Sequence, residues 1–222
     1  MRLHSSAFAV GLFLLGTAPA AWAQPARPPG PAARSDLTGS LGWFNADKGD
    51  LLEYNRWYNR SLFAGVNFGW YWTDHLKTEI EAGASSSAEV DVYTNRVINN
   101  RQTFFESNFR FATRRIAIGQ QYQFFRNAWF HPYVAAGVDF TWESIEQEDG
   151  PLSAFDLNGR GPAELQPAVI HPEKTEQHTR PFAGFGFKSY MTPRSFFRSD
   201  LKLVFHDGVD EALLRFGFGI DF

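Results

Sequence analysis

Eleven charged residues stand at alternate positions of short segments whose other positions are apolar: Lys77, Glu79, Glu81, Asp139, Glu143, Lys188, Arg198, Asp200, Lys202, Arg215 and Asp221. Five are basic and six acidic, so the set nearly cancels. Charges enclosed together must pair, because an isolated buried ion is too costly to keep. Two chemistries follow. The set is either a self-neutralising network that fills an interior or the lining of a narrow polar pore.

Other reactive side chains are less organised. His171, Glu173, Glu176 and His178 have donor types that suit a metal, but they sit in an acidic, proline-bearing stretch with no frame to preorganise them. A solvated loop is expected there, with no metal and no cofactor. Ser199, His206 and Asp207 supply the types for nucleophilic hydrolysis, yet any chain of this length offers such a trio. The segment 47–58 mixes acids with Tyr54, Trp57 and Tyr58, aromatics suited to interfaces or to lipid headgroups.

The elements that must carry these residues are strands. From Ser61 to Thr73 one face reads Leu62, Ala64, Val66, Phe68, Trp70 and Trp72, and the other reads Ser61, Phe63, Gly65, Asn67, Gly69, Tyr71 and Thr73. The same period of two runs from Leu76 to Ala84, Val134 to Glu143, Ala183 to Tyr190, Phe197 to Phe205 and Ala212 to Phe222, with a weaker first strand over Leu37 to Ala46. Between Leu76 and Phe125 a long hairpin is predicted, turning at Asn99-Asn100. Each arm holds over 20 residues, roughly 70 Å at about 3.3 Å per residue. A membrane needs only about 9–11 of them, so the part near Ser85–Thr113 projects beyond lipid. A reversal at Thr113-Arg114-Arg115 instead would add a strand and make the count odd, which single-chain bacterial barrels avoid. Eight strands in an all-β, antiparallel, up-and-down transmembrane barrel is the expected fold.

Composition agrees. Mean hydropathy is −0.31, and after the first 23 residues no apolar run is long enough for a membrane helix, yet aromatics reach 17% with 23 Phe. Alternation of lipid-facing and lumen-facing residues gives that combination. A soluble sandwich or lipocalin-like barrel would turn its apolar faces inward, whereas here the charged faces are the glycine-rich ones. An eight-strand lumen is narrow and filled by side chains, so glycine and paired charge belong there. The net charge of −3 supplies no basic footprint for nucleic acid. There is no cysteine, so stability comes from a device other than disulfides.

Residues 1–23 read as a secretory signal peptide: Arg2, an apolar stretch from Ala7 to Ala21, and Ala21-Trp22-Ala23 before the expected cut. Residues 24–36 read as a proline-rich periplasmic linker and 37–222 as the barrel. Thr73–His75, Arg126–Phe130 and Thr192–Arg194 are short and suit periplasmic turns. Ala46–Arg60, the long hairpin, Gln147–Thr179 and His206–Glu211 are the expected outer loops. Trp70, Trp72, Trp129 and Phe222 then fall in the periplasmic aromatic girdle, and Trp43 and Trp142 in the outer one.

The closing run Phe216-Gly217-Phe218-Gly219-Ile220-Asp221-Phe222 resembles the C-terminal assembly signal of outer-membrane barrels, carried by Phe216, Phe218, Ile220 and Phe222. Pro132 to Val138 resembles a strand opening of the small outer-membrane β-barrel (OmpA-like and OmpW-like) superfamily, and Tyr190-Met191-Thr192-Pro193-Arg194 resembles its last periplasmic turn. The resemblance covers Leu37 to Phe222. It implies a bacterial outer-membrane location, with membrane lipids, lipopolysaccharide and the barrel assembly machinery as partners, and an outside partner of unknown kind. The function expected is structural display of loops. A narrow channel or conduit for small hydrophobic molecules is the alternative, and a lipid-modifying enzyme a third. Lipid A deacylases of this size carry His-x-Ser-Asn, a motif this chain lacks: His131 precedes Pro132 and His206 precedes Asp207-Gly208.

Overall fold

The computed structural model describes residues 34–47, 57–98, 101–124, 129–150, 152–156, 163–166 and 169–222. The expected signal peptide, nearly all of the linker and the Asn99-Asn100 turn lie outside them, as do residues 48–56 and the side chains of Trp57 and Tyr58.

Twelve strands run in chain order among the described residues: β1 (Ser35–Asp47), β2 (Trp57–Tyr71), β3 (Leu76–Ser85), β4 (Ala88–Ile98), β5 (Arg101–Gln123), β6 (Phe130–Asp149), β7 (Leu152–Asp156), β8 (Ala163–Gln166), β9 (Val169–Ile170), β10 (Lys174–Tyr190), β11 (Ser195–Phe205) and β12 (Val209–Asp221). Eight of them close a ring, each antiparallel to its neighbours: β1–β2–β3–β5–β6–β10–β11–β12 and back to β1. Closure removes the edges of the sheet. The seam is β1 on β12, from Asp36↔Asp221 to Ala46↔Glu211.

Strand faces follow the alternation. Leu41, Leu62, Val66, Ile80, Phe185, Phe218 and Ile220 are exposed on the outside, while Lys77, Asp139, Lys188 and Lys202 are fully buried within. β5 is one unbroken strand of 23 residues, so Arg114-Arg115 is not a turn; Arg114 points out and Arg115 in. The projecting hairpin has β4 and the upper half of β5 as its arms, paired from Ala88↔Phe111 to Ile98↔Arg101.

Three boundaries differ from expectation. β1 begins at Ser35, so Ser35 and Asp36 belong to the barrel and not to a linker. The outer segment 147–179 is largely strand at both ends, because β6 runs to Asp149 and β10 starts at Lys174 opposite Ile145. The connection of β11 to β12 is short: His206 donates its N–H to the Gly208 carbonyl at 3.2 Å, and Gly208 takes φ +147°, a conformation that favours glycine.

Two turns at the end that carries Ser35 and Phe222 share one design. Thr73 Oγ1 accepts the Leu76 N–H at 3.0 Å, and Thr192 Oγ1 accepts the Ser195 N–H at 2.9 Å. Each threonine caps the strand that follows it, which keeps these reversals tight.

Candidate functional site

The inside of the barrel is the site, and its glycines show why it can hold so much. Side-chain rings press against lumen-facing glycines: a Cβ on Gly83 would come within 2.3 Å of Phe63 Cζ, and one on Gly219 within 2.3 Å of Phe196 Cζ. Phe44, Phe63, Phe111 and Leu213 meet with Ala46 and Ala88 in an apolar plug at the end away from Ser35 and Phe222, with Val90, Phe109 and Ile145 packed against it. The face of these residues is legible in the sequence; that they converge is not.

Below the plug the charged residues stack in three tiers. In the first, Arg115 donates to Asp139 at 3.3 Å and pairs with Glu211, while its guanidinium lies 4.9 Å from the Phe44 ring centre. Lys202 reaches Asp139 at 2.6 Å and Glu81 at 3.3 Å. In the second, Arg215 joins Glu81 to Asp200, the latter at 2.6 Å, and Arg198 joins Asp200 to Glu79, both at 2.7 Å. Tyr133 donates to Asp200 at 2.8 Å, and Asn67 to Glu79 and Glu81. In the third, Asp36 accepts from Lys77 at 2.9 Å, from Lys188, and from the Tyr71 hydroxyl at 2.8 Å. Lys77 also holds Glu79 at 2.6 Å, which links this tier to the one above.

All eleven charged residues singled out in the sequence face inward, and the structure binds nine of them into this chain. Glu143 is buried on the same face, and Asp221 accepts from Tyr190 at 2.6 Å at the end that carries Ser35. Sequence reasoning missed Asp36, Arg115 and Glu211. Asp36 falls in the expected linker, Arg115 in the expected hairpin and Glu211 in an expected outer loop, although each keeps the inward parity of its strand.

Among the described residues, the room left between these tiers is small. A cavity of about 20 Å³ lies among Glu79, Gln121, Tyr133 and Phe182, enough for about one water molecule. The side-chain amide of Gln121 has no hydrogen-bond partner among the described residues.

The other candidates are not assembled. Ser199 sits mid-strand on β11 opposite Phe187 and Phe216, whereas His206 and Asp207 lie in the turn seven residues on, with 3.9 Å between them. At about 3.3 Å per residue the serine is over 20 Å from the histidine. Glu176 and His178 lie on β10 rather than in a loop, His171 Nε2 lies 2.7 Å from Asp149, and Glu173 accepts from Ser144. Among the described residues no three His, Asp or Glu side chains converge as metal ligands.

Phe216, Phe218 and Ile220 are exposed on the outer face of β12, and Phe222, just past its end, is exposed too. The last residue is tied to the first strand: Ser35 N–H donates to the Phe222 carbonyl at 3.1 Å, and Phe222 N–H to the Ser35 carbonyl at 2.9 Å.

Residues 8–222 match the family model of the outer membrane protein beta-barrel domain. No curated protein matches the chain. Among solved structures it is similar to Ail, the attachment invasion locus protein of Yersinia pestis, with 8% identity, 86% of this chain and 99% of that one covered, and a TM-score of 0.49. It is also similar to Neisserial surface protein A (10% identity, 86% and 98% covered, TM-score 0.48) and to OprG of Pseudomonas aeruginosa (12% identity, 86% and 97% covered, TM-score 0.46).

Proposed function

The chain belongs to the outer membrane protein beta-barrel family, and from that premise we propose that it is a closed anchor of the bacterial outer membrane that displays its projecting strands outside the cell. The observation that carries this reading is the filled lumen. Three linked tiers of buried ion pairs lie beneath an apolar plug, and the cavity among them holds about 20 Å³. A hydrated ion would have to break several buried pairs at once to pass, each costly to leave half-made.

Ser35 and Phe222, the two threonine-capped turns and the exposed Trp70, Trp72 and Trp129 lie at one end, which this reading puts in the periplasm. The long arms of β4, β5 and β6 rise from the other end. β5 alone extends roughly 75 Å at about 3.3 Å per residue, more than twice what lipid covers. Cleavage after Ala23 would release the mature chain into the periplasm for assembly, with lipid and lipopolysaccharide as its surroundings.

Planar-bilayer recording of the purified full chain tests the anchor against a channel. No stepwise conductance is expected. Reproducible single-channel steps would overturn the reading.

A further inference from the structure

A knot of polar side chains stands on the outer wall of the barrel, just above the aromatic girdle at the Ser35 end. Trp72 Nε1 donates to Thr78 Oγ1 at 2.7 Å, and Gln120 Nε2 donates to the same oxygen at 2.8 Å. Thr78 and Gln120 face each other across the β3–β5 ladder, on the side that also carries the exposed Ile80, Ile118 and Tyr122. The three side chains own four donor hydrogens: one on the indole, one on the hydroxyl and two on the amide. Their two mutual bonds use two of them. Turning the Gln120 amide over leaves that count unchanged, so two donors point outward with no acceptor among the described residues. A donor left unmet against hydrocarbon is costly.

Beside the knot lies a hollow. The outward row Gln120↔Ala136↔Ala183↔Leu203 crosses β5, β6, β10 and β11. Its two alanines are small, whereas Tyr122, Val134 and Phe185, one step nearer the girdle, are large and exposed. The step in height leaves a groove of about 380 Å³ with Gln120 in its lining, within the range of ligand sites, about 300–1,000 Å³. A second copy of the chain fits it poorly. A two-fold pair sets the same hollow against itself, which doubles the void instead of filling it. A flexible hydrocarbon tail fills such a groove but brings no acceptor for the knot, so the acceptors must come from the head of the same molecule. Trp72 stands at the level where indoles meet headgroups, and the ester carbonyls of a phospholipid lie just inside its headgroup.

We propose that this patch of wall holds one diacyl phospholipid of the periplasmic leaflet. Its ester oxygens accept the spare hydrogens of Thr78 and Gln120, and one acyl chain lies in the groove over Ala136 and Ala183. This rests on the reading of the chain as a membrane anchor with the Ser35 end in the periplasm.

The test is native mass spectrometry of the full chain in a neutral detergent, titrated with phosphatidylethanolamine. One lipid should bind more than about tenfold tighter than those that follow. Thr78→Val with Gln120→Leu removes the spare donors and should weaken that first binding by about tenfold or more. Ala136→Phe fills the groove and should abolish it, while Ile118→Phe adds bulk beside the groove and should leave it intact. Each change turns an apolar side chain toward lipid, so heat-modifiable mobility should stay that of the parent chain. A run of equally weak adducts would overturn the proposal, as would a first adduct that Ala136→Phe leaves in place. A first adduct lost in Ala136→Phe but indifferent to Thr78→Val with Gln120→Leu would be tail adsorption alone and would overturn it too. A lipid-free dimer that Ala136→Phe splits would assign the groove to a second copy. Binding in detergent requires neither a sealed lumen nor an orientation. Conductance or reversed epitope exposure would therefore sink the anchor reading and leave the adduct standing, whereas loss of the adduct would sink the lipid site alone.

Discussion

Asp36 is the residue on which the third tier turns, and Asp36→Asn measures what that tier contributes. The carboxylate is fully buried and faces two ammonium groups, Lys77 at 2.9 and 3.2 Å and Lys188, together with the Tyr71 hydroxyl at 2.8 Å. Lys77 keeps Glu79 at 2.6 Å when Asp36 is neutralised. Lys188 keeps the Tyr71 hydroxyl at 2.8 Å and the Phe196 ring at 4.0 Å, with no carboxylate bonded to it among the described residues. Breaking a buried pair by removing one partner costs about 3–5 kcal/mol, because the other charge stays uncompensated. At about 1.36 kcal/mol per factor of ten, the folding equilibrium should fall by roughly a hundredfold or more. Lys188→Met should cost less, since Asp36 still holds Lys77. The double substitution should be more stable than Asp36→Asn alone, because it removes the orphaned cation. Reversible urea titration into phospholipid vesicles reads this as a lower midpoint at unchanged slope. If Asp36→Asn costs less than about 1 kcal/mol, the worth of an exposed pair, or if Lys188→Met gives no rescue, the tier is wet and the filled-lumen argument fails.

Strand contact gives a second measurement. Gly137→Ala would place Cβ 2.1 Å from the Ile118 carbonyl oxygen and 2.5 Å from the Gly119 Cα, and backbone cannot yield cheaply, so a loss of about 1–3 kcal/mol is expected. Gly39→Ala meets nothing within 4 Å and should be near neutral in the same titration. Deleting Phe222 removes both of its bonds to Ser35 and the last exposed aromatic of the seam; heat-modifiable mobility and surface levels should fall, and unchanged values would count against an assembly role. Epitope tags at Asn99-Asn100 and within 157–162 should be antibody-accessible on intact cells and one at Thr192–Arg194 should not, the reverse pattern inverting the topology. Finally, burial pushes the Asp149 carboxyl up, but hydrogen bonds from Ser107, Gln147 and His171 outweigh it and hold its pKa below the usual carboxylate value. A depressed pKa makes its clasp on His171 a stabilising contact above the ordinary carboxylate value, lost as pH falls through the lower folded one. Amide-exchange protection of the His171 N–H, bonded to Gln147 at 3.0 Å, should drop over that acid range in the native chain and show no such step in Asp149→Asn.

What the sequence determined by itself was the parity of each strand. A period of two assigns a side chain to one face whatever its partner, so Phe185 and Phe218 outside and Lys188 and Arg215 inside could be read locally. Eight staves, the long hairpin and the aromatic ends followed from the same pattern and from turn lengths. Boundaries were less legible: Asp36 looked like linker because nothing before it alternates, and 174–179 looked like loop because its residues are polar on both faces, although the ladder to β6 holds them as strand. Only the closed barrel decided who meets whom across the lumen. Asp36 and Lys188 are 152 residues apart in the chain, and their meeting depends on the register accumulated around eight ladders. Likewise Phe44, Phe63, Phe111 and Leu213 come from four strands, and they form a plug because closure brings their heights level. Parity is a property of neighbouring residues; pairing across a barrel is a property of the whole ring.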